Sequence, residues 1–365
     1  LSHRVTDDQA VAASMTLRAG LDQELPRTLA YGEPLKRALD EGLVDEATLD
    51  LAVRRVLRLK FELGLFESPY ADPTVAAVDP GPEQALALDS ARESVVLLEN
   101  DGTLPLASDL ARVALIGPSA DDARNHLGDY AHQLHVDTLL GNRDVLSSAI
   151  PVADSLQPSR ASDRIATVLD ELRARLGDGA VDYARGCGLL DGTDEEIAEA
   201  VAAAGAADVA VLVMGERSGL TDDALCGETR DRLDLGLPGR QQELLEAVVA
   251  TGTPVVLVLM SGRPLAVPWA ADHCAAVLHA WVPGDLGGRA IVDVLTGLTN
   301  PGGKLPISVP RTVGQVPVHY AHRPTGGHTN WNVEYVDGSN LPLWPFGFGR
   351  SYTSFELSDL RLDTA

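Results

Sequence analysis

The sequence lacks a surplus of positive charge and any long apolar run, and each absence excludes a class of partner. Lysine and arginine number 29 against 53 aspartate and glutamate, which gives a formal charge of -24 at pH 7. A chain of this charge repels the phosphate backbone of nucleic acids and anionic membrane surfaces alike. No run of about 18 apolar residues is present to span a bilayer. We therefore expect neither a nucleic acid nor a membrane as a partner.

Cysteine is also scarce, and its placement indicates free thiols. Cys187, Cys226 and Cys274 are widely spaced, odd in number and without metal-ligand spacing, so they predict reduced cysteines rather than a disulfide framework. This favours a reducing compartment, and we expect a cytoplasmic location. The opening residues lack the basic and then apolar order of a signal peptide, but the chain begins with Leu instead of Met. That start indicates a beginning inside a longer protein.

The apolar pattern divides the chain into unequal segments. With 365 residues, of which 45% are hydrophobic, the chain has the length for two or three domains. Residues 1–66 offer helices near 8–20 and 45–64 and a short strand near 19–26, which are too few elements to enclose a core. The second helix has one apolar face, which we expect to seek a partner. Residues 67–90 are rich in proline and predict an interdomain linker.

Residues 91–310 alternate between apolar runs and helical patterns. Buried strands rich in valine and leucine and separated by helices predict an open α/β sandwich with a mainly parallel sheet. In such sheets, ligands lie beyond the carboxyl ends of the strands. Residues 311–354 predict a loop-rich extension of the sandwich, and residues 355–365 alternate like the first strand of a further β-domain. The expected strands lie at 113–117, 181–186, 209–215, 254–262 and 275–282, and the expected helices near 162–176, 194–206, 239–251 and 286–297.

A long polar loop follows the expected strand 209–215. It exceeds the two to six residues usual for such a connection, and long loops inside compact domains are usually functional or disordered. Glu228 follows a glycine in this loop, and it is either a catalytic carboxylate or the partner of Arg230 or Arg232 in a solvated ion pair. Glu216, directly after the strand, either accepts hydrogen bonds from loop amides or lies beside a site.

A second polar loop, GPSADDARNHLGDY, follows the expected strand 113–117. It carries Arg124 and Asp129 and ends in Tyr130. This combination suits a sugar, which offers hydroxyl groups for hydrogen bonds and a C–H face for aromatic stacking. An ordinary capped loop accounts for it equally well. Trp331, in the later segment HRPTGGHTNW, belongs either to the wall of a sugar site or to a surface loop.

Other chemistries find no support in the sequence. The segment LTNPGGKLP does not match the phosphate-loop pattern GxxxxGK[ST], and GERSG lacks the central serine of a nucleophile elbow. Two histidine pairs are present, but no cysteine or carboxylate completes a metal site near either one. We therefore expect neither nucleotide binding, nor serine hydrolysis, nor a metal. The pairs are His132 with His135 and His319 with His322.

Several stretches taken together resemble family 3 of the glycoside hydrolases, the β-glucosidase and β-xylosidase family. The eighth-strand segment of its barrel is similar to AGLDQELP, and the helix that closes the barrel is similar to VDEATLDLAVRRVLRLKFELGLFESP. The start of its second domain is similar to SARESVVLLENDGTLPL. Later landmarks match SGRPLAV, WVPGDLGGRAIVDVLTGLTNPGGKLPISVP and LPLWPFGFGRSYTSFELSDL. These stretches follow the family's order over nearly the whole chain.

The resemblance implies a fold and an activity. The fold is the end of a (β/α)8-like barrel in residues 1–66, an (α/β)6 sandwich in residues 91–310 and the start of a fibronectin-III-like domain at 355–365. The activity is hydrolysis of terminal non-reducing β-D-glucosides or related glycosides with retention, which uses two carboxyl groups about 5 to 5.5 Å apart. The substrate is a β-linked oligosaccharide or an aryl or alkyl glycoside. No cofactor is needed, because proton transfer and a covalent glycosyl intermediate suffice.

The family's acid/base segment matches CGETRDRLDLGLPG, so the resemblance implies Glu228 as the general acid and base. This carboxyl must be protonated when the leaving oxygen departs, and an arginine in contact with it would oppose that. We therefore expect Arg230 and Arg232 to point away from it, toward Asp231, Asp234 or the barrel. The substrate-binding residues that we expect on this chain are Tyr130, Asp129, Arg124, Glu216 and Trp331.

The family's nucleophile is an aspartate in an SDY or SDW segment upstream of AGLDQELP, and Leu1 begins after that position. The implied partner is therefore an N-terminal barrel segment, in the same chain or in a separate one. The competing hypothesis is a non-catalytic carbohydrate-binding or regulatory module derived from the same family. An upstream nucleophile segment would favour the enzyme over this module.

Overall fold

The computed structural model describes residues 4–25, 27–72, 81–141, 165–321, 334–356 and 358–362. The chain divides into two compact units, Leu1–Pro80 and Gly81–Ala365. The division lies inside the stretch predicted as a linker, and a helix begins directly after it at Gly81. None of the helices described here is long and apolar enough to cross a membrane.

Three helices build the described part of the first unit: α1 (Gln9–Arg18), α2 (Glu33–Asp40) and α3 (Glu46–Glu62). Asp8 and Asp45 cap α1 and α3. Each carboxylate accepts a backbone N–H of the first helical turn, at 2.7 Å and 2.8 Å respectively. These bonds satisfy donors that have no partner inside the helix, and therefore fix where α1 and α3 begin.

Small apolar side chains form the core of the first unit. Ala52 is the buried residue that α3 contributes, whereas Val53, Leu57 and Phe61 are 47%, 42% and 61% exposed. The apolar face that was expected to seek a partner is therefore exposed in this structure. The buried core consists of Ala10, Ala13, Leu17, Leu35, Ala38, Val44 and Ala52.

The short strand expected near 19–26 does not form within residues 19–25. That expectation was wrong for the described residues, because a strand needs a neighbour for its backbone hydrogen bonds and the described part of this unit offers only helices. The segment instead ends against a loop that Glu24 organises. The Glu24 carboxylate accepts the backbone N–H groups of Leu29, Ala30 and Tyr31 at 2.9 to 3.0 Å.

The second unit is an α/β sandwich around a six-stranded sheet. Its strands are β1 (Val96–Asn100), β2 (Val113–Ile116), β3 (Val181–Ala184), β4 (Val209–Gly215), β5 (Val255–Met260) and β6 (Ala276–His279). The order is β1-β6-β5-β4-β2-β3, and every pairing is parallel except that of β1 with β6. This confirms the predicted mainly parallel sheet, to which the structure adds the antiparallel edge strand β1. The helices are α4 (Gly81–Ser94), α5 (His132–Gly141), α6 (Val168–Leu176), α7 (Asp194–Gly205), α8 (Gln241–Val249), α9 (Pro268–His273) and α10 (Gly287–Leu295).

Strand β4 is buried on both faces of the sheet. Val211 and Val213 belong to the core layer that contains side chains of α6 and α10, and Leu212 and Met214 to the layer that contains side chains of α7 and α8. All four have no exposed surface. Burial on both faces requires an unbroken apolar strand, and each such side chain contributes roughly 2 kcal/mol.

Two glycines let the chain leave the sheet close to neighbouring backbone. Gly117, after β2, has φ of 116°, and Gly215, at the end of β4, has φ of 135°. A Cβ atom would lie 2.3 Å from the oxygen of Val213 at the first position and 2.0 Å from that of Met260 at the second. The loops after β2, β4 and β5 therefore leave side by side at the carboxyl edge of the sheet.

Past residue 310 the described residues form loops and a short 3-10 turn, Val313–Gln315. The described residues of the range 355–362 form no strand. The fibronectin-III-like domain therefore stays a prediction, as does the assignment of residues 1–66 to the end of a barrel.

The burial of His279 predicts a loss of stability in acid. His279 is 1% exposed, and its ring stacks on Trp281 with centroids 3.9 Å apart. Burial lowers the pKa of its imidazole from 6.5 to about 4. In the unfolded chain His279 takes up a proton near pH 6.5, whereas in the folded chain it does so only near pH 4. The unfolding free energy is therefore unaffected by this group above pH 6.5 and decreases as the pH falls from 6.5 toward 4. Between pH 6.5 and 4 we expect the wild type to lose roughly 3 kcal/mol more unfolding free energy than His279→Phe.

The measurement is urea unfolding followed by tryptophan fluorescence, since all 4 tryptophans lie in the second unit. Val258→Ala is the control: it removes a neighbouring buried side chain that does not titrate, and should lower the unfolding free energy equally at both pH values. An identical pH dependence of the wild type and His279→Phe would contradict the assignment.

Candidate functional site

Residues 216–240, between β4 and α8, form a long loop that carries Glu228 and is named here the Glu228 loop. Within the described residues its backbone pairing is limited to isolated bridges. Besides backbone hydrogen bonds such as that from Gly219 N to Cys226 O at 3.0 Å, hydrogen bonds from side chains hold the loop. They act at its base, along its first half and at its tip.

The base of the Glu228 loop is a buried ion-pair cluster around Glu216. The carboxylate has no exposed surface. It accepts hydrogen bonds from Arg263 Nε at 2.9 Å and Nη2 at 2.7 Å, from Arg232 Nη1 at 2.7 Å and from Ser261 Oγ at 2.9 Å. Arg232 Nη1 also donates to the backbone oxygen of Gly236 at 3.0 Å. Both oxygens of the carboxylate are thus occupied.

Two opposing effects act on this carboxylate. Burial by itself raises the pKa of Glu216, but the hydrogen bonds from Arg263 and Arg232 outweigh it, so the pKa lies below its ordinary value. The group is therefore ionised and saturated with donors. Its placement favours a structural role for Glu216 over direct contact with a sugar, but the donors found are two guanidinium groups and a serine hydroxyl instead of the loop amides that were expected.

The first half of the Glu228 loop is held by two arginines. Arg217 donates from Nε to Oδ1 of Asn125 at 2.8 Å and from Nη2 to Oδ2 of Asp122 at 2.5 Å. Arg124 donates from Nη1 to the backbone oxygen of Ser218 at 3.2 Å. Burial, followed by the nearby charge of Arg217, lowers the pKa of Arg124. The loop after β2 therefore binds the loop after β4 through both guanidinium groups.

Asp129 fixes the tip of the loop. Its Oδ2 accepts the backbone N–H of Glu228 at 2.6 Å, and its Oδ1 accepts the hydroxyl of Ser218 at 2.5 Å. Gly227, with φ of 135°, makes this approach possible, because a Cβ atom there would lie 2.5 Å from Asp129 Oδ2 and from the backbone oxygen of Gly219. Only glycine tolerates both the conformation and the contact.

The side chain of Glu228 meets Tyr130. The phenol hydroxyl donates to Glu228 Oε2 at 2.5 Å, and this bond raises the pKa of Tyr130. Tyr130 is 69% exposed, and Glu228 is exposed as well. The pair therefore lies on the surface at the carboxyl edge of the sheet, accessible to a ligand from outside.

The two arginines beside Glu228 point away from it, as expected, but among the described residues neither guanidinium pairs with Asp231 or Asp234, the expected partners on this chain. Arg230 pairs with Asp222, and Arg232 pairs with Glu216. Within the described part of the chain neither guanidinium contacts Glu228. Its carboxyl group is therefore not neutralised by the cations that the sequence places next to it.

Tyr130 and Asp129, both predicted for the substrate site, lie against the tip of the Glu228 loop. Arg124 binds the backbone of the loop, and Glu216 anchors its base. Trp331 lies outside the described residues. The structure thus divides the predicted set into residues that face Glu228 and residues that hold the loop.

Sequence reasoning did not single out Arg263, Arg217 or Ser261. Arg263 and Ser261 belong to the segment SGRP directly after β5, and β5 pairs with β4 in the sheet. A polar segment that follows a buried strand was the available signal, because parallel neighbours end at the same edge of a sheet.

With this geometry described, comparison with known proteins decides the family. The model of the glycosyl hydrolase family 3 C-terminal domain matches residues 95–352. The chain belongs to glycoside hydrolase family 3. The matched range contains the whole sheet and the Glu228 loop.

Relatives of this family 3 chain carry two activity names. It is 37% identical over 399 residues to a periplasmic β-glucosidase of Salmonella typhimurium, covering 100% of this chain and 48% of the relative. It is 35% identical over 372 residues to a β-xylosidase of Formosa agariphila, covering 99% of this chain and 48% of the relative. The chain thus spans about half the length of these curated relatives.

Solved structures similar to this family 3 chain include β-glucosidases, and the chain again covers about half of each. A β-glucosidase involved in saponin metabolism from intestinal bacteria matches with a TM-score of 0.80 at 34% identity, over 96% of this chain and 49% of that one. A β-glucosidase of Listeria innocua in complex with isofagomine matches with a TM-score of 0.80 at 33% identity, over 97% and 46%.

Gly227→Ala should loosen the tip of the Glu228 loop. The new methyl group would collide with Asp129 and with the oxygen of Gly219, and the positive φ would be strained. We expect a cost of about 1–3 kcal/mol in unfolding free energy and faster hydrogen exchange at the amide of Glu228, measured by NMR. Gly205→Ala is the control, because a Cβ atom there meets nothing within 4 Å. Unchanged exchange at Glu228 would refute this account of the tip.

Proposed function

We propose that this chain supplies the general acid and base of a retaining β-glycosidase, and that Glu228 is that group. The substrates are terminal non-reducing β-D-glucosides or related glycosides. One observation carries the proposal: the exposed carboxyl of Glu228 lies at the tip of a long loop at the carboxyl edge of the sheet, and no arginine among the described residues pairs with it. Family membership and the names of the relatives support the substrate class.

Retention requires one carboxyl group to act twice. In the first step Glu228 gives its proton to the glycosidic oxygen while a nucleophilic carboxylate attacks the anomeric carbon. The bond between that carbon and the glycosidic oxygen breaks, the leaving group departs as an alcohol or phenol, and a glycosyl–enzyme remains. In the second step the Glu228 carboxylate takes a proton from water, and the oxygen of that water replaces the nucleophile on the same carbon. These steps move only protons and a glycosyl group, so they need no cofactor.

The nucleophile, in this proposal, belongs to a barrel segment upstream of Leu1, in the same chain or in a separate one. Two observations support it. The chain covers 48% of its β-glucosidase relative, and α3 exposes the apolar side chains of Val53, Leu57 and Phe61. Residues 1–66 would then be the end of that barrel, and residues 355–365 the start of a fibronectin-III-like domain.

Tyr130 forms the aromatic edge of the proposed sugar site. Its ring is largely exposed and its hydroxyl group lies on Glu228, so a glycoside in contact with Glu228 would also meet the phenol ring. Asp129 and Arg124 use their polar atoms on the Glu228 loop itself. We therefore assign to Asp129 and Arg124 the holding of Glu228 instead of the binding of sugar hydroxyls. The ligand is a β-linked oligosaccharide or an aryl or alkyl glycoside.

Glu228→Ala tests the proposal, in the chain combined with the upstream barrel segment. For phenyl β-glucoside, whose leaving oxygen needs a proton, we expect kcat/KM to fall by about 100- to 10,000-fold. For 2,4-dinitrophenyl β-glucoside, which departs without a proton, kcat/KM should fall far less. Azide attacks the glycosyl–enzyme without a general base. With 2,4-dinitrophenyl β-glucoside it should therefore restore turnover of Glu228→Ala and yield glucosyl azide. Steady-state kinetics and NMR of the product measure these outcomes.

Glu199→Ala is the control, since Glu199 is an exposed carboxylate on α7, outside the Glu228 loop, and it should keep wild-type kinetics. Equal loss on both glucosides in Glu228→Ala would remove Glu228 from its role. If the wild-type chain, combined with the upstream barrel segment, binds glucosides without cleaving them, the result would favour the non-catalytic carbohydrate-binding module instead.

Tyr130→Phe should weaken proton transfer from Glu228. The phenol hydroxyl donates to Glu228 Oε2 and holds that carboxyl group in one orientation. Without this donor the carboxyl group can rotate, so kcat/KM should fall severalfold more for phenyl than for 2,4-dinitrophenyl β-glucoside. Steady-state kinetics with both glucosides measure it.

Tyr352→Phe provides the comparison, because the Tyr352 hydroxyl donates to the backbone oxygen of Val294 in the interior. It should reduce stability and leave the ratio of kcat/KM between the two glucosides unchanged. If Tyr130→Phe also leaves that ratio unchanged, the Tyr130–Glu228 hydrogen bond does not position the carboxyl group in the active enzyme.

A further inference from the structure

Arg263 reaches the Glu228 loop from a different element. It lies in the connection between β5 and α9, yet its guanidinium group donates hydrogen bonds to the Glu228 loop. Nε and Nη2 donate to Glu216 at 2.9 and 2.7 Å, and Nη1 donates to Oδ1 of Asp231 at 2.5 Å. Nη1 and Nη2 also donate to the backbone oxygens of Arg232 and Asp234, at 3.2 and 3.0 Å. One planar group thus binds both the base of the loop and its second half.

The burial of this cluster makes the arrangement sensitive to change. The side chain of Glu216 has no exposed surface, and that of Arg263 is 15% exposed. The hydrogen bond with Glu216 raises the pKa of Arg263, so the pair is ionic. Breaking a buried pair leaves an uncompensated charge, whereas a pair at the surface contributes little. The loop can therefore move away from Arg263 only at a high cost in free energy.

The tip of the loop lies between two anchors. On its N-terminal side, Asp129 accepts the backbone N–H of Glu228. After it, Arg263 holds Asp231, and the turn between them is closed by the backbone bond from Arg230 N to Gly227 O at 3.2 Å. Glu228 therefore occupies a segment whose two ends are bound by residues outside the loop.

We propose that Arg263 is a positioning residue, which holds the second half of the Glu228 loop so that the Glu228 carboxyl meets the leaving oxygen of a glycoside. This inference rests on the proposed role of Glu228. Arg263 does not touch the substrate in this account, and acts through Asp231 and Glu216. Lysine cannot replace it, because a single ammonium group lacks the fork that reaches both carboxylates and both backbone oxygens at once.

The leaving group separates positioning from general stability. A proton donor that is misplaced by a fraction of an ångström penalises glycosides in proportion to their need for a proton, while a loss of folded protein lowers all rates equally. In Arg263→Lys the charge facing Glu216 is retained, so the fold should survive. We expect kcat/KM to fall about 10- to 100-fold more for phenyl than for 2,4-dinitrophenyl β-glucoside.

Arg92→Lys is the matched control. Arg92, on α4, donates from Nε and Nη2 to Oδ2 of the buried Asp293 on α10, at 2.9 and 2.5 Å. Its side chain is 25% exposed, and it has no contact with the Glu228 loop among the described residues. This variant should lose stability and keep the wild-type ratio between the two glucosides. Both variants are assayed in the chain combined with the upstream barrel segment.

Each outcome decides one question. An Arg263→Lys protein that loses both activities equally overturns the positioning role, and leaves the proposed function intact as long as Glu228→Ala still discriminates between the two glucosides. If Glu228→Ala does not discriminate, the proposed function itself fails. Should Arg263→Lys not fold, Asp231→Ala decides: Asp231 is 78% exposed, so its removal buries no charge, and the same ratio should rise severalfold. An unchanged ratio in Asp231→Ala overturns the inference.

Discussion

The carboxylate of Glu216 joins the sheet to the loop that carries Glu228. Glu216 directly follows β4, and its side chain has no exposed surface. Arginines from two different segments donate hydrogen bonds to it. A buried carboxylate of this kind requires its partners, because an unpaired charge in the interior is costly. The requirement runs in both directions: the arginines that neutralise Glu216 also bind the backbone of residues 232–236. The need to neutralise a buried carboxylate thereby fixes the backbone path of a surface loop.

Charged side chains also join the loop after β2 to the Glu228 loop. Arg217 and Arg124 connect the two loops, and Asp129 reaches the amide of Glu228. Carboxylate and guanidinium groups thus replace the regular backbone ladder that the loop lacks. The Glu228–Tyr130 pair is exposed and therefore accessible to a ligand. Among the described residues no arginine pairs with the Glu228 carboxylate, and the proposed chemistry uses that group.

The sheet was predictable to within a few residues because its central strands are buried on both faces. Val-rich runs such as 209–215 and 254–262 have few alternatives to a parallel sheet. Edge elements were harder. Strand β1 is short and contains a glutamate and an asparagine, and α4 begins inside a proline-rich stretch that predicts a linker. The strand expected near 19–26 failed because strand formation depends on a neighbour, which a local pattern does not reveal.

The sequence by itself determined the strand cores, the position of the long loop after β4 and, through the resemblance, Glu228 as its candidate carboxylate. These features follow from periodicity and from the order of residues along the chain. Only the tertiary structure decided which cation pairs with which anion. Arg232 lies four residues from Glu228 in sequence but turns to Glu216, and Arg263 crosses from the next strand to join it. Such pairing depends on distances between separate strands and on burial, and both are set by packing of the whole sheet.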